Sequence, residues 1–139
     1  MKDQRYLSQD DAAILYRLAE HLLRLDGAES EAADELSDIV AGASRVPPGS
    51  RRKDIVQLGT VVTLSFFSTG QESSVTLVHP SEANPAAGRI SVLTPIGLAI
   101  IGRKINACVE VDLPTGRQEK IRIADVRSPE AEAVATGTS

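Results

Sequence analysis

Aromatic residues, cysteine and histidine are scarce in this chain. The 139 residues include no tryptophan, two tyrosines, two phenylalanines, two histidines and one cysteine. A pocket walled by aromatic rings is therefore hard to build, and the single Cys108 excludes an intramolecular disulfide and fits a reducing compartment. The chain also lacks a glycine-rich phosphate loop, a His/Cys metal spacing and a nucleophile elbow. The sequence therefore predicts a protein that is not an enzyme and that carries no metal or other cofactor.

Long apolar runs are absent too. The longest, Pro95 to Ile101, is far too short to span a bilayer. The first residues, MKDQRY, lack the apolar stretch of a secretory signal. We expect a cytoplasmic protein with no membrane contact.

Charge is divided unevenly along the chain. Residues 1–43 hold four basic and ten acidic side chains, whereas residues 44–127 hold eleven basic and seven acidic ones. Two segments of opposite sign predict different surroundings for each and argue against free DNA as the main partner. We therefore expect no sequence-specific DNA binding.

The first 43 residues predict a short antiparallel helical hairpin. Ser8 is a favourable N-cap with Asp11 three residues later, and Leu15, Leu18, Leu22 and Leu25 follow at helical spacing. Asp26-Gly27 predicts a turn, after which Ser30 can cap a second helix. The apolar stripe of that helix comprises Ala32, Ala33, Leu36, Ile39, Val40 and Ala43. Two facing stripes joined by a tight turn pack as a hairpin.

The pattern changes after a linker that we place at residues 44–54, which contains Pro47-Pro48-Gly49 and the basic residues 51–53. From residue 55 to residue 127 the chain alternates β-branched strands with turns. One short helix interrupts them: Thr94 offers a capping hydroxyl and Pro95 suits the first helical position. The predicted fold class is α+β, with a helical hairpin followed by an antiparallel sheet that carries one short helix. Residues 128–139 lack periodicity, and we expect a disordered tail.

Four segments of the 55–127 region resemble the carboxy-terminal domain of the Gre transcription elongation factors. They are VQLGTVVTL (56–64), TLVHPSEA (76–83), RISVLTPIGLAIIGRK (89–104) and VEVDLPTG (109–116). The third is the most specific, because a strand, a Ser/Thr-Pro cap and an Ile-Gly-Arg/Lys end follow in one order. The resemblance implies a sheet like that of FK506-binding proteins, which docks on RNA polymerase at its secondary channel. It also implies that the docking surface comprises Thr94, Pro95, Ile96, Gly97 and Leu98.

The amino-terminal hairpin departs from that family. Gre factors carry a long coiled coil whose acidic tip helps to hold the catalytic magnesium ion of the polymerase. Here the first predicted helix spans residues 8–25, or roughly 27 Å at ~1.5 Å per residue. This layout is closer to the short-armed relatives known as regulators of nucleoside diphosphate kinase. The tip would hold Asp26, Glu29 and Glu31, although turns and helix starts favour acidic residues in any case.

A second departure lies in a turn, where Gre domains usually have Gly-Asp and this chain has Asn106-Ala107. We expect that turn to be relaxed.

These features predict an elongation regulator that binds RNA polymerase at the secondary channel and does not stimulate transcript cleavage. The alternative is a regulatory binding protein of the nucleoside diphosphate kinase type, acting away from polymerase. A prolyl isomerase is a weaker alternative, because Phe66 and Phe67 are consecutive in a strand and should face opposite sides of the sheet.

Overall fold

The computed structural model of the protein describes residues 5–25, 30–46, 54–113 and 116–127. After a two-residue strand at residues 6–7, its elements are α-helical first and mostly β afterwards, as the sequence predicts apart from that strand. No helix within these ranges combines the length and the apolar content needed to cross a membrane.

Helices α1 (Gln9–Leu25) and α2 (Ser30–Gly42) form the predicted hairpin, which we call the arm. The hydroxyl of Ser8 accepts the N–H of Asp11 at 3.1 Å, which caps α1 as predicted. The two apolar stripes face each other, because the side chains buried in the arm are those at helical spacing: Leu15, Leu18, Ala19, Ala33, Leu36, Ile39 and Val40.

A two-stranded parallel sheet closes the base of the arm. Its strands are β1 (Tyr6–Leu7) and β2 (Ser44–Arg45), and we call this pair the root. Residues 44 and 45 fall in the segment 44–54 that we expected to be a linker. Val46 follows them and is buried, with its N–H donated to the carbonyl of Leu7 at 2.9 Å. Residues 44–46 are therefore held against β1 and are not part of a free linker. In the sequence, these residues show no signal except that two prolines follow them.

Five strands form the main sheet: β3 (Val61–Phe66), β4 (Glu72–Val78), β5 (Arg89–Ser91), β6 (Cys108–Asp112) and β7 (Gln118–Arg127). Their order across the sheet is β5-β4-β3-β7-β6. One face is buried and holds mainly aliphatic side chains, among them Val62, Leu64, Leu77, Val109, Val111, Ile121 and Ile123. The other face carries the alternate residues, as the period of a strand requires.

The sheet is mixed rather than wholly antiparallel, which corrects our expectation. Strand β5 pairs with β4 in parallel, with Leu77 opposite Ile90. The connection runs through two single-turn 3-10 helices, Pro80–Glu82 and Pro85–Ala87. This loop is longer than a typical hairpin connection and carries the chain back to the level of Thr76 before β5 begins. The sequence shows that the loop is long, but it does not show that the chain returns far enough for β5 to pair with β4 in parallel.

The remaining helix, α3 (Pro95–Ile100), lies between β5 and β6 in the chain and packs on the buried face of the sheet. Leu98 and Ile100 of this helix belong to the same continuous core as Leu36 of the arm and Ile121 of the sheet. The helical arm and the sheet domain therefore share one hydrophobic core.

The turn at Asn106-Ala107 keeps a backbone conformation that usually requires glycine, although we expected this requirement to be relaxed here. Asn106 has a φ of +78°, in the left-handed region that asparagine tolerates better than most residues. Its side-chain oxygen also accepts a hydrogen bond from Arg122 at 3.1 Å. Asparagine therefore supports here the backbone conformation for which glycine is the usual choice.

Candidate docking surface

The start of α3 is the first part of the candidate docking surface. The Thr94 hydroxyl accepts the N–H of Gly97 at 3.0 Å and donates to the carbonyl of Ser91 at 2.8 Å. The Thr94 carbonyl accepts the N–H of Leu98 at 2.8 Å. The predicted cap is thus present, and Thr94 ties the helix start to the end of β5.

Gly97 has a steric role in this arrangement. A methyl group added to its α-carbon would clash with the carbonyl oxygen of Ser91 and would lie 2.9 Å from the α-carbon of Val92. Both are backbone atoms, which cannot rotate away. Glycine at this position therefore permits the close approach of α3 to β5.

Burial divides the five predicted docking residues into two groups. Pro95 is exposed and Thr94 and Ile96 are half-buried, whereas Gly97 and Leu98 are buried. The N–H groups of Gly97 and Leu98 are also already bonded to Thr94. A helix start can offer unpaired N–H groups to a partner, but the N–H groups of Gly97 and Leu98 are not available for such contacts. A partner could reach the side chains of Pro95 and Ile96, and Gly97 and Leu98 would shape the surface from beneath.

The other end of α3 is bonded by a residue that sequence reasoning missed. The Nη1 atom of Arg5 donates to the carbonyl of Leu98 at 2.6 Å and to that of Ile101 at 3.1 Å. Arg5 is only 7% exposed, and a buried arginine is uncommon unless it is paired or hydrogen-bonded. A single arginine in a polar amino-terminal segment gives no local signal of such a role, because its acceptors are more than ninety positions away.

The arm meets the sheet domain at a second buried polar contact. A carboxylate oxygen of Asp11, in the first turn of α1, accepts the N–H of Leu58 at 3.0 Å. Burial raises the pKa of the Asp11 carboxyl above its ordinary value, the hydrogen bond from Leu58 opposes that shift, and the neighbouring Asp10 adds to it. Asp11 was predicted only as a partner in helix capping, but its side chain bonds across the tertiary structure.

The predicted acidic tip comprises Asp26, Glu29 and Glu31. Asp26 and Glu29 lie outside the described residues. Glu31 lies in the first turn of α2 and is exposed. Among the residues that the structure describes, no three side chains of His, Cys, Asp or Glu come together as metal ligands.

Two of the clefts that the described residues form bear on the prolyl isomerase alternative. One, of about 370 Å³, lies where α1 meets the sheet and is lined by Ile14, Leu58, Gly59, Val78, His79, Ser81 and Glu82. The other, of about 250 Å³, contains Phe66 among mostly polar residues. Phe67, by contrast, is 54% exposed and follows the last residue of β3. Neither of these two clefts, as the described residues line them, is an aromatic cage of the kind that a prolyl isomerase would need.

The sheet, its short capped helix and the helical arm together match known transcription factors. The sequence profile of the carboxy-terminal domain of the transcription elongation factors GreA and GreB matches residues 51–128, more than half of the chain. The chain belongs to this family.

Individual GreA sequences are also similar to this chain. Transcription elongation factor GreA of Chloroflexus aggregans is 36% identical over 93 residues, and that of Azorhizobium caulinodans is 38% identical over 93 residues. Each alignment covers 67% of this chain and 59% of the relative. The chain thus spans about three fifths of the length of these relatives.

A solved structure extends the similarity to the arm. It is a prokaryotic transcription elongation factor GreA/GreB from Nitrosomonas europaea, with 28% sequence identity and a TM-score of 0.72. The superposition covers 88% of this chain and 98% of that one. Because residues 1–43 are more than the 12% of this chain that the superposition leaves out, the superposition includes part of the arm as well as the sheet domain.

Proposed function

We propose that this protein is a regulator of transcription elongation that binds RNA polymerase at the entrance of its secondary channel. The observation that carries the proposal is the family match over residues 51–128, which contains the whole sheet and α3.

The surface proposed to dock is the exposed side of α3, comprising Thr94, Pro95 and Ile96. Pro95 and Ile96 present apolar surface to solvent on a helix whose start is fixed by Thr94 and packed closely at Gly97. Fixed apolar surface loses little conformational entropy when a partner covers it. The buried Gly97 and Leu98 act beneath this surface.

The docking proposal is tested by Ile96→Asp in the full chain. A carboxylate on this half-buried side chain would have to be desolvated under the polymerase, so we expect a loss of affinity of at least ~30-fold, about 2 kcal/mol. The matched control is Phe67→Asp, which places the same charge on an exposed apolar side chain beyond the end of β3. Affinity is measured by titration of labelled protein with core polymerase, and folding by circular dichroism.

Two results would count against this surface: equal losses for both variants, or an Ile96→Asp protein that does not fold. Recovery of no polymerase subunits by the unmodified protein from a bacterial lysate would instead reject the proposed function. That result would favour the alternative, a regulatory protein acting on nucleoside diphosphate metabolism.

We further propose that the arm is too short to stimulate transcript cleavage. Helix α1 has 17 residues, and its first turns lie against the sheet domain, where Asp11 bonds Leu58 and Ile14 lines a cleft with Val78. Beyond Ile14, α1 extends by about 16 Å at ~1.5 Å per residue. Carboxylates at the tip would have to lie beside the catalytic metal of the polymerase, and a misplacement of ~1 Å can cost ~10²-fold in rate.

The test is a stalled elongation complex with backtracked RNA, followed over time with and without this protein. We expect no increase in the rate of cleavage, together with competition against a full-length Gre factor for the same entrance. Robust cleavage that disappears in Asp26→Ala would refute the argument from length and would assign the tip carboxylates a direct role.

A further inference from the structure

Arg5 lies between the root, which closes the base of the arm, and the docking helix, and it bonds to both. Its guanidinium donates to the carbonyls of Leu98 and Ile101 at the end of α3. Its own carbonyl accepts the N–H of Ser44, in β2 of the root, at 2.9 Å. The next residue, Tyr6, donates its N–H to the carbonyl of Gly102 at 2.8 Å. One short segment thus joins the root to the end of α3.

A short helix depends on such contacts at its ends. Helix α3 has only six residues, and an isolated helix of that length is not stable in water. The last carbonyls of a helix have no partner within the helix and carry a partial negative charge. The guanidinium of Arg5 supplies a positive charge and directed donors there, and charge-assisted hydrogen bonds are the stronger kind.

Burial and close packing hold the side chain of Arg5 in place. The side chain is 7% exposed, so solvent competes little for its hydrogen bonds. Close packing surrounds the same place, because a methyl group added to Gly102 would lie 3.0 Å from the carbonyl oxygen of Tyr6 and 3.2 Å from the β-carbon of Arg5. Movement of the root would therefore displace the end of α3, and the reverse also holds.

We propose that Arg5 is a positioning residue, which holds the docking helix α3 in a fixed orientation relative to the arm. This inference rests on the proposed function in so far as α3 is the surface that docks. It adds that docking of α3 also sets the direction in which the arm points. Arg5 acts through α3 and needs no contact with the polymerase.

Two measurements test this role in the full chain. The first is affinity for core polymerase at a temperature at which every variant is folded. The second is the distribution of distances between two spin labels, one on Cys108, which is exposed on β6, and one on a cysteine introduced by His21→Cys, at an exposed position of α1. Cys108 is the only cysteine of the chain, so the labels go to known sites.

The variants are chosen to separate orientation from general stability. Arg5→Met keeps the aliphatic length but removes the donors, and Arg5→Lys keeps the charge and a donor. Arg17→Met is the matched control, because Arg17 is an exposed arginine of α1. We expect Arg5→Met to weaken polymerase binding about tenfold and to broaden the distance distribution, Arg5→Lys to restore part of both, and Arg17→Met to change neither.

Several outcomes would overturn the inference. They are a folded Arg5→Met with unchanged affinity, a loss of affinity with an unchanged distance distribution, or equal effects of Arg17→Met. If Arg5→Met does not fold, the test rests on Arg5→Lys, for which a distance distribution and an affinity equal to those of the unmodified protein would reject the role. The distance measurement needs no polymerase, so it tests Arg5 even if the proposed function fails.

Discussion

The arm and the sheet domain bury similar aliphatic side chains, but the contacts that hold them span different lengths of chain. In the arm, α1 packs on α2, which begins only five residues after α1 ends. In the sheet, the central strand β3 pairs with β7, so that Val62 lies opposite Val126. The junction of the two regions is also held by contacts that are distant in sequence, from Asp11 to Leu58 and, over a still longer span, from Arg5 to Leu98. The arm is therefore held by contacts between residues that are close in sequence. The sheet, and the contact between arm and sheet domain, depend on residues that are far apart in sequence.

The two regions also differ in what they expose. Within the described residues, the outward side of the arm carries acidic side chains such as Glu20, Glu31, Asp34, Glu35 and Asp38. The sheet domain exposes the basic Arg89, Lys104, Arg117, Lys120 and Arg127, but also the acidic Glu72, Glu82, Glu110, Asp112 and Asp125, together with the apolar side chain of Pro95. Within the described residues, the exposed surface of the arm is therefore mainly acidic, whereas that of the sheet domain carries both charges in equal number. The following variants test whether the two regions nevertheless form one folding unit.

The largest effect is expected from deletion of core side chains in each region. Leu36 of the arm and Leu64 of the sheet are 0% and 1% exposed, so Leu36→Ala and Leu64→Ala should each lower the free energy of unfolding by about 3 kcal/mol. Because both belong to one core, urea unfolding should remain a single transition by circular dichroism and by NMR signals of the sheet. An arm that unfolds before the sheet in Leu36→Ala would divide the molecule into two units.

A glycine in each region provides the next comparison. Gly97→Ala should lower the free energy of unfolding by ~2 kcal/mol, because the added methyl group meets the backbone of β5. Gly42→Ala, at the end of α2, meets nothing within 4 Å and should raise it by about 0.5 kcal/mol. Thermal and urea unfolding measure both changes. Equal stability of the two variants would mean that α3 can shift away from β5 at little cost.

The smallest expected effect is the pH dependence of stability that results from the buried carboxyl of Asp11, between the arm and the sheet domain. Burial raises the pKa of Asp11, so the folded protein holds this proton more tightly than the unfolded chain does. Ionisation of Asp11 therefore costs stability as the pH rises from about 4 through the folded pKa. Asp11→Asn can still accept the N–H of Leu58 but cannot ionise. Its stability relative to the unmodified protein should increase with pH across this window, as urea unfolding at several pH values would show.

Asp11→Ala is the control for the hydrogen bond alone. It leaves the N–H of Leu58 without its acceptor, at a cost of ~1–3 kcal/mol. A difference between Asp11→Asn and the unmodified protein that does not vary with pH would contradict the raised pKa. Equal stability of Asp11→Ala and Asp11→Asn would show that the contact with Leu58 contributes nothing to the junction.

The sequence by itself determined the local elements. Spacing of leucines predicted α1, the hydroxyl of Ser8 its start, and Thr94-Pro95 the start of α3, because each signal depends on residues within one or two turns of each other. The alternation of apolar and polar residues along β6 and β7 is equally local, and its apolar members Val109, Val111, Ile121 and Ile123 are buried. The residues of the docking surface were named from resemblance, and their role in docking stays a prediction.

Only the tertiary structure decided how these elements are joined. The parallel pairing of β5 with β4, the root formed by residues 6–7 and 44–45, and the bonds of Arg5 and Asp11 have no local signature. Each depends on where a distant backbone group lies once the core has formed, and the pattern of side chains around Arg5 or Asp11 does not encode that position. The same dependence separates Pro95 and Ile96, which a partner can reach, from Gly97 and Leu98, which the fold has covered.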